Sequence, residues 1–190
     1  MVSDILTRTI KTLVKLCREK EIRFVLMGGI ATSFYARPRA TYDIDGIIHS
    51  GKHDLAEFLI AAGKSGFGYD GKQPVKFIHG LPFITLCDKK YKLYVDLFIA
   101  ETVFQKRIVK RAKRIKFGEM LIDIISCEDL ILLKLQTGRE KDTEDARNIL
   151  ADNSDTLDFA YLGKWADQLG VEAFLNDEIR SLRIKSKQRI

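Results

Sequence analysis

Arg23-Phe24-Val25-Leu26-Met27-Gly28-Gly29, followed by Tyr42-Asp43-Ile44-Asp45-Gly46, is the stretch on which the reading of this chain turns. Its opening segment is a short apolar run ending in two glycines, the pattern of a buried strand feeding a tight turn. Ile30 to Ala36 then reads as a short helix, stopped by Pro38. In the closing segment a single residue separates Asp43 from Asp45, and the two-residue period of a strand sends both carboxylates to one face. Carboxylates a few ångströms apart repel, so the pair is stable only with a proton or a divalent cation between them. Mg²⁺ suits them, because it takes one or two carboxylates and then substrate phosphates.

The residues between these segments fit phosphate binding. Gly28 and Gly29 lack side chains, which lets phosphates approach backbone N–H groups and the positive end of the helix. Thr32 and Ser33 add hydroxyl donors, and Arg39, four residues before Asp43, can bring its fork of donors to the same phosphates. A third acid, Asp96, stands between Val95 and Leu97 in a candidate strand from Tyr91 to Ile99. Each feature has a plainer reading. A Gly-Gly turn is usually only a turn, and a lone D-x-D pair is more often surface decoration. Asp96 is harder to set aside, since a mid-strand aspartate is costly to bury without a partner. Three acids from two adjacent strands suffice to hold a pair of metals that clamp both oxygens of a phosphoryl displacement.

Outward from this centre, Asp4 to Glu19 has helical apolar spacing with Ser3 placed to cap it, and Tyr42 to His49 alternates as a strand. Asp54 to Ala62 reads as a helix and the glycine-rich 64–72 as a loop. Val75–Ile78, Phe83–Cys87 and Tyr91–Ile99 are strands with connections short enough for antiparallel pairing. After a helical basic stretch, 115–125 is a strand pair or one bulged strand. Ser126-Cys127-Glu128-Asp129 then opens a helix in capping-box fashion. Helices follow over 143–150, 161–169 with Trp165 inward and Gly170 as stop, and 171–182. The expectation is a mixed-sheet α/β (α+β) fold with flanking helices. It divides into a body over 1–150 and a helical C-terminal annex over 151–190, jointed at the polar 152–155 cluster.

Composition narrows the class. Apolar content of 46% beside 31% charge is that of a folded globular chain. Asp4, Arg8 and Lys11 interrupt any signal-peptide core, and no run approaches the roughly 20 apolar residues that span a bilayer. A cytoplasmic protein with no membrane segment is expected. Cys17, Cys87 and Cys127 lack zinc spacing and read as reduced, buried thiols, while His53 and His79 form no nucleophile-base pair with them. The net charge of +6 favours polyanionic partners. It is concentrated at Lys106, Arg107, Lys110, Arg111, Lys113, Arg114 and Lys116, and in a tail from Arg180 to Arg189. Each cluster reads either as a solvated face or as an RNA-binding surface.

In the order Gly28-Gly29, Asp43-Ile44-Asp45, Asp96, the chain resembles the nucleotidyltransferase superfamily that includes DNA polymerase beta. It is most similar there to the abortive-infection nucleotidyltransferases, the toxins of type IV toxin-antitoxin pairs. Gly28-Gly29-Ile30-Ala31, Arg39-Ala40-Thr41-Tyr42-Asp43-Ile44-Asp45, and the block from Ser126 through Lys134-Leu135, Gly138-Arg139, Lys141-Asp142 and Asp145 to Arg147 carry that likeness. The resemblance implies a nucleotidyltransferase fold and transfer of a nucleoside monophosphate from an NTP to a hydroxyl. Asp43 and Asp45 would hold Mg²⁺ with Asp96, which also aligns or deprotonates the acceptor; Lys134 would touch nucleotide phosphates, with Asp142 or Asp145 nearby. By their own residues, Lys134 and Asp145 read as an exposed helix face. Gly29 stands where polymerase-like members have a phosphate-binding serine, so backbone groups, Thr32 or Ser33 must substitute. RNA or a tRNA end is the favoured acceptor, with a cognate antitoxin as partner. An antibiotic, a protein hydroxyl, or a non-catalytic nucleotide- or RNA-binding module are the alternatives.

Overall fold

The computed structural model describes residues 2–38, 40–51, 54–78 and 80–187. They form two compact units, Met1–Ile30 with Ala40–Ile125, and Ala31–Arg39 with Ser126–Ile190. The expected mixed α/β architecture is what the chain adopts.

In the first unit α1 (Val2–Glu19) buries Ile10, Leu13, Val14 and Cys17, one stripe at helical spacing. It begins before Ser3, which therefore lies inside the first turn instead of capping it. The stripe packs on β1 (Arg23–Met27). α2 (Gly28–Tyr35) starts at the glycines themselves, because Gly28 takes φ +64 and turns the chain within one residue. Then follow β2 (Asp43–His49) and α3 (Leu55–Lys64), whose first turn is capped by the Asp54 carboxylate accepting from the Ala56 N–H. β3 (Phe67–Gly68) corrects the loop expected over 64–72: Phe67 is buried and pairs with the strand end at Asp88. β4 (Lys76–Ile78), β5 (Leu81–Asp88) and β6 (Tyr94–Ile99) form the antiparallel run expected from their short connections. α4 (Val103–Arg111) opens with a capping box between Thr102 and Gln105. β7 (Lys113–Phe117) and β8 (Met120–Ile124) settle the 115–125 region as a hairpin around Gly118 at φ +59.

Among the described residues the strands make one sheet, ordered β3-β5-β6-β2-β1-β8-β7, with β4 on β5. β2 with β6 and β1 with β8 are parallel, and the other pairs are antiparallel. On β5 and β6 the two faces differ. Ile84, Leu86, Val95 and Leu97 are fully buried, whereas Phe83, Thr85, Cys87, Asp96 and Phe98 between them are half-buried. Cys87 is thus not the buried thiol expected; alternation puts it on the open face, while Cys17 and Cys127 are buried. Burial pushes the Cys17 thiol up to about 12.

The second unit is helical. α5 (Cys127–Thr137) is capped by Ser126, whose Oγ accepts from the Asp129 N–H at 3.2 Å and donates to the Asp129 carboxylate at 2.7 Å. Glu128 and Asp129 are buried charges with partners: Glu128 accepts from the Asp158 N–H and Asp129 from the Tyr161 hydroxyl. Left-handed Gly138 ends α5, and α6 (Glu140–Asn153) runs three residues past the expected helix end, into the polar cluster, where the Asn153 amide donates to the Tyr35 carbonyl at 2.7 Å. α7 (Phe159–Leu169) stops at Gly170 as expected, with Trp165 half-buried beside Tyr161. α8 (Glu172–Lys187) is tied to α6 by a two-pronged Arg147–Glu178 pair. Among the described residues no helix is long and apolar enough to cross a membrane.

One glycine in β2 is set by packing. A Cβ on Gly46 would stand 2.2 Å from the Phe24 ring, which is itself buried. Gly46→Ala is expected to cost about 1 to 3 kcal/mol by overpacking, and Phe24→Leu in the same chain to return part of it. Denaturant unfolding of the two single variants and the double variant measures this; additive losses would show that the ring is not the obstacle.

Candidate active site

Strand register decides which acids meet. Asp43 and Asp45 alternate onto one face of β2, and across the parallel ladder Asp45 is the Cα partner of Asp96 while Asp43 is the partner of Tyr94. The three acids therefore share the half-open face of the sheet in the first unit. Asp43 is exposed; Asp45 and Asp96 are half-buried. On the other side of β2, Met27 is the partner of Asp45, which brings the end of β1, and so the glycines, to the same place.

Gly28 is fitted to Asp45 in two ways. Its φ of +64 is a conformation other residues adopt at a cost, and a Cβ there would lie 1.9 Å from Asp45 Oδ2. Asp45 folds into space that only a glycine leaves open. Two threonines act on the other acids: the Thr41 hydroxyl donates to Asp43 Oδ1 at 2.6 Å, and the Thr85 hydroxyl to Asp96 Oδ1 at 2.7 Å. Thr85 is not among the residues that sequence reasoning selects, although a lone polar residue in Phe83-Ile84-Thr85-Leu86-Cys87 is a signal. Neither is Tyr94, exposed on the same face.

Among the described residues no group of three or more His, Cys, Asp or Glu side chains is gathered to hold a metal ion. The acids fit a divalent cation by their chemistry and shared face: hard oxygens, with Asp43 and Asp96 each keeping lone pairs beyond the one a threonine occupies. They are not a closed cage. Like charges on neighbouring strands stay apart unless a cation draws them in.

The other expected phosphate contacts divide. Gly29 is buried in the first turn of α2. Thr32 is buried and Ser33 half-buried, both further along α2 and in the second unit, and Arg39 lies outside the described residues, as do His53 and His79. Lys134 overturns the exposed-face reading. It is buried in the second unit, where its ammonium is held by Asp142 and, at 2.9 Å, by Asp145. Asp142 also accepts from Thr137 and Arg139. Burial works against the charge of Asp142, but these donors and the Lys134 charge outweigh it and hold the carboxyl below its ordinary value.

Two outcomes follow from this geometry. Gly28→Ala is expected to displace Asp45 and lose activity together with about 1 to 3 kcal/mol of stability, read by turnover and denaturant titration; a variant that keeps both would show that the glycine is dispensable. The stability that Asp142 contributes is complete above its ordinary value of 3.8 and lost as pH falls through its lowered folded value. Denaturant midpoints measured from about pH 5 downward should fall in the parent chain and flatten in Asp142→Asn; equal slopes would remove this role.

Comparison with known proteins agrees with the fold. An antigenic nucleotidyltransferase-like protein from Paracoccidioides brasiliensis superposes with TM-score 0.54 at 17% identity over 93% of each chain. ANT(2")-Ia in complex with adenylyl-2"-tobramycin gives 0.56 at 13% identity over 91% of this chain and 98% of that one. A lincosamide antibiotic adenylyltransferase with bound lincomycin gives 0.52 at 15% identity over 75% and 94%. At these identities the likeness is one of fold. No curated protein matches the chain in sequence. Residues 6–187 match the family described as "Nucleotidyl transferase of unknown function (DUF2204)", so the chain belongs to that family and is an enzyme of the nucleotidyltransferase type.

Proposed function

We propose that this enzyme transfers a nucleoside monophosphate from an NTP to a hydroxyl of RNA, with Asp43, Asp45 and Asp96 as its catalytic acids and Mg²⁺ as its metal. The observation that carries the reading is the register: Asp45 is paired with Asp96, and Asp43 shares their face beside the glycine start of α2. The acceptor oxygen attacks the α-phosphorus, the bond from that phosphorus to the bridging oxygen breaks, and pyrophosphate leaves with the electron pair. Asp96 takes the hydroxyl proton. Asp43 and Asp45, with Asp96, would hold the cation, which when bound offsets charge on the triphosphate. The N–H groups of Gly28 and Gly29 at the start of α2 take the phosphates, a role that Arg39 shares by its place in the sequence. Lys134, already neutralised by Asp142 and Asp145, belongs to an ion cluster of the helical unit.

Charge supports a polyanionic acceptor. Lys113 pairs with Ile124, whose neighbour on β1 is Leu26, one residue before the partner of Asp45. The start of β7 therefore lies at the same end of the sheet as the acids, three strand spacings or roughly 14 Å away. α4, just before it, exposes Lys106, Arg107 and Lys110. Such residues bind phosphates without reading sequence. On the resemblance to abortive-infection enzymes, we propose a toxin role for the chain in the cytoplasm, restrained by a cognate antitoxin.

Each labelled NTP with Mg²⁺ should be offered with bulk tRNA, bulk protein and a hydroxylated antibiotic in turn, since one structural neighbour holds an adenylylated tobramycin and another lincomycin. Label is expected in the tRNA, with transfer weakening steeply as salt rises. Asp43→Ala should lower pyrophosphate release by about 100-fold or more while the helical signal is retained. Label entering only protein or antibiotic would replace the acceptor. An active Asp43→Ala chain would remove the metal site.

A further inference from the structure

We infer that Thr85 is a positioning residue for Asp96, setting the direction in which that carboxylate faces metal and acceptor. This rests on the catalytic role proposed for Asp96. Across three consecutive strands Thr85, Asp96 and Asp45 are partners in one row, so all three side chains project from the same face. Two of them carry like charges on neighbouring strands, an arrangement that drives the side chains apart. Asp45 is confined on its β1 side by Gly28, since its carboxylate occupies the volume a Cβ there would need. On the side of Asp96 away from Asp45 lies β5, where the Thr85 hydroxyl donates to Oδ1 at 2.7 Å.

That bond engages Oδ1 from the β5 side and leaves Oδ2 outside it, in the row that Asp96 shares with Asp45. Threonine suits the task better than serine. Its β-branch restricts χ1, so the donor is held in place before the acid arrives. Thr41 gives Asp43 the same contact, but in a solvent-exposed bond to an exposed carboxylate two residues away along the chain. Thr85 is the half-buried, cross-strand version, and its direction is set by the sheet.

The test uses Thr85→Val, which keeps the shape and removes the donor, beside Thr85→Ser, which keeps the donor. Mn²⁺ binding to the full chain is followed by electron paramagnetic resonance without nucleotide, and kcat and KM for ATP are measured with saturating bulk tRNA. Thr85→Val is expected to weaken Mn²⁺ binding or lower kcat by about 10- to 100-fold, with KM for ATP and the thermal midpoint little changed, and Thr85→Ser to restore most of the loss. The proposal is overturned if Thr85→Val matches the parent in both readouts, or if Thr85→Ser is as poor as Thr85→Val. Asp96→Ala separates the two levels of inference. If it abolishes transfer while Thr85→Val is fully active, only the positioning role falls; if Asp96→Ala itself turns over, the catalytic role of Asp96 falls and Thr85 has nothing to position.

Discussion

Repulsion between Asp45 and Asp96 is the constraint around which the first unit is arranged. Parallel pairing of β2 with β6 makes the two residues partners, at a separation where like charges are unfavourable. A protein gains nothing from such a pair unless a cation or a proton is to be placed there. The surroundings are consistent with that purpose: Gly28 gives up its side chain to make room for Asp45, and threonine hydroxyls take one oxygen each of Asp43 and Asp96. The opposite face of the same strands is closed with Ile44, Val95 and Leu97. That closure supplies the apolar burial against which the charge repulsion is offset.

The helical unit handles charge differently. Glu128, Asp129, Lys134, Asp142, Asp145 and Glu178 are all buried, and each meets a donor or an opposite charge. Here the partners are internal and complete, and the cluster fixes how α5, α6, α7 and α8 pack against one another. The acids of the sheet instead keep an open side. The contrast is between charge paired within the helices and, on the proposed reading, charge kept for chemistry.

Much of this is legible without coordinates. Alternation along Asp43-Ile44-Asp45 and around Asp96 yields both the strands and the shared face, because a two-residue period is local information. The Gly-Gly pair is tied to the site by its order in the chain, although the helix begins on it instead of after it. What stays hidden depends on contacts across the chain. Thr85 acquires meaning only when β5 lies against β6, and Lys134 looks like a surface lysine until α6 folds back on α5 with Asp142 and Asp145. β3 is lost in a glycine-rich stretch since two residues carry no periodicity. Cys87 misleads for a simpler reason: its apolar neighbours Ile84 and Leu86 point the other way.

The sheet ends, on one side, at β7. Its outer row of backbone donors and acceptors has no strand beside it among the described residues, and Lys113, Arg114 and Lys116 are exposed along it. A second copy pairing β7 against β7 would set its own cationic edge against these side chains and strip their hydration. The same lysines that could welcome a nucleic acid thus discourage self-association, so that crowding of this basic chain is more apt to recruit anions than to seed fibrils.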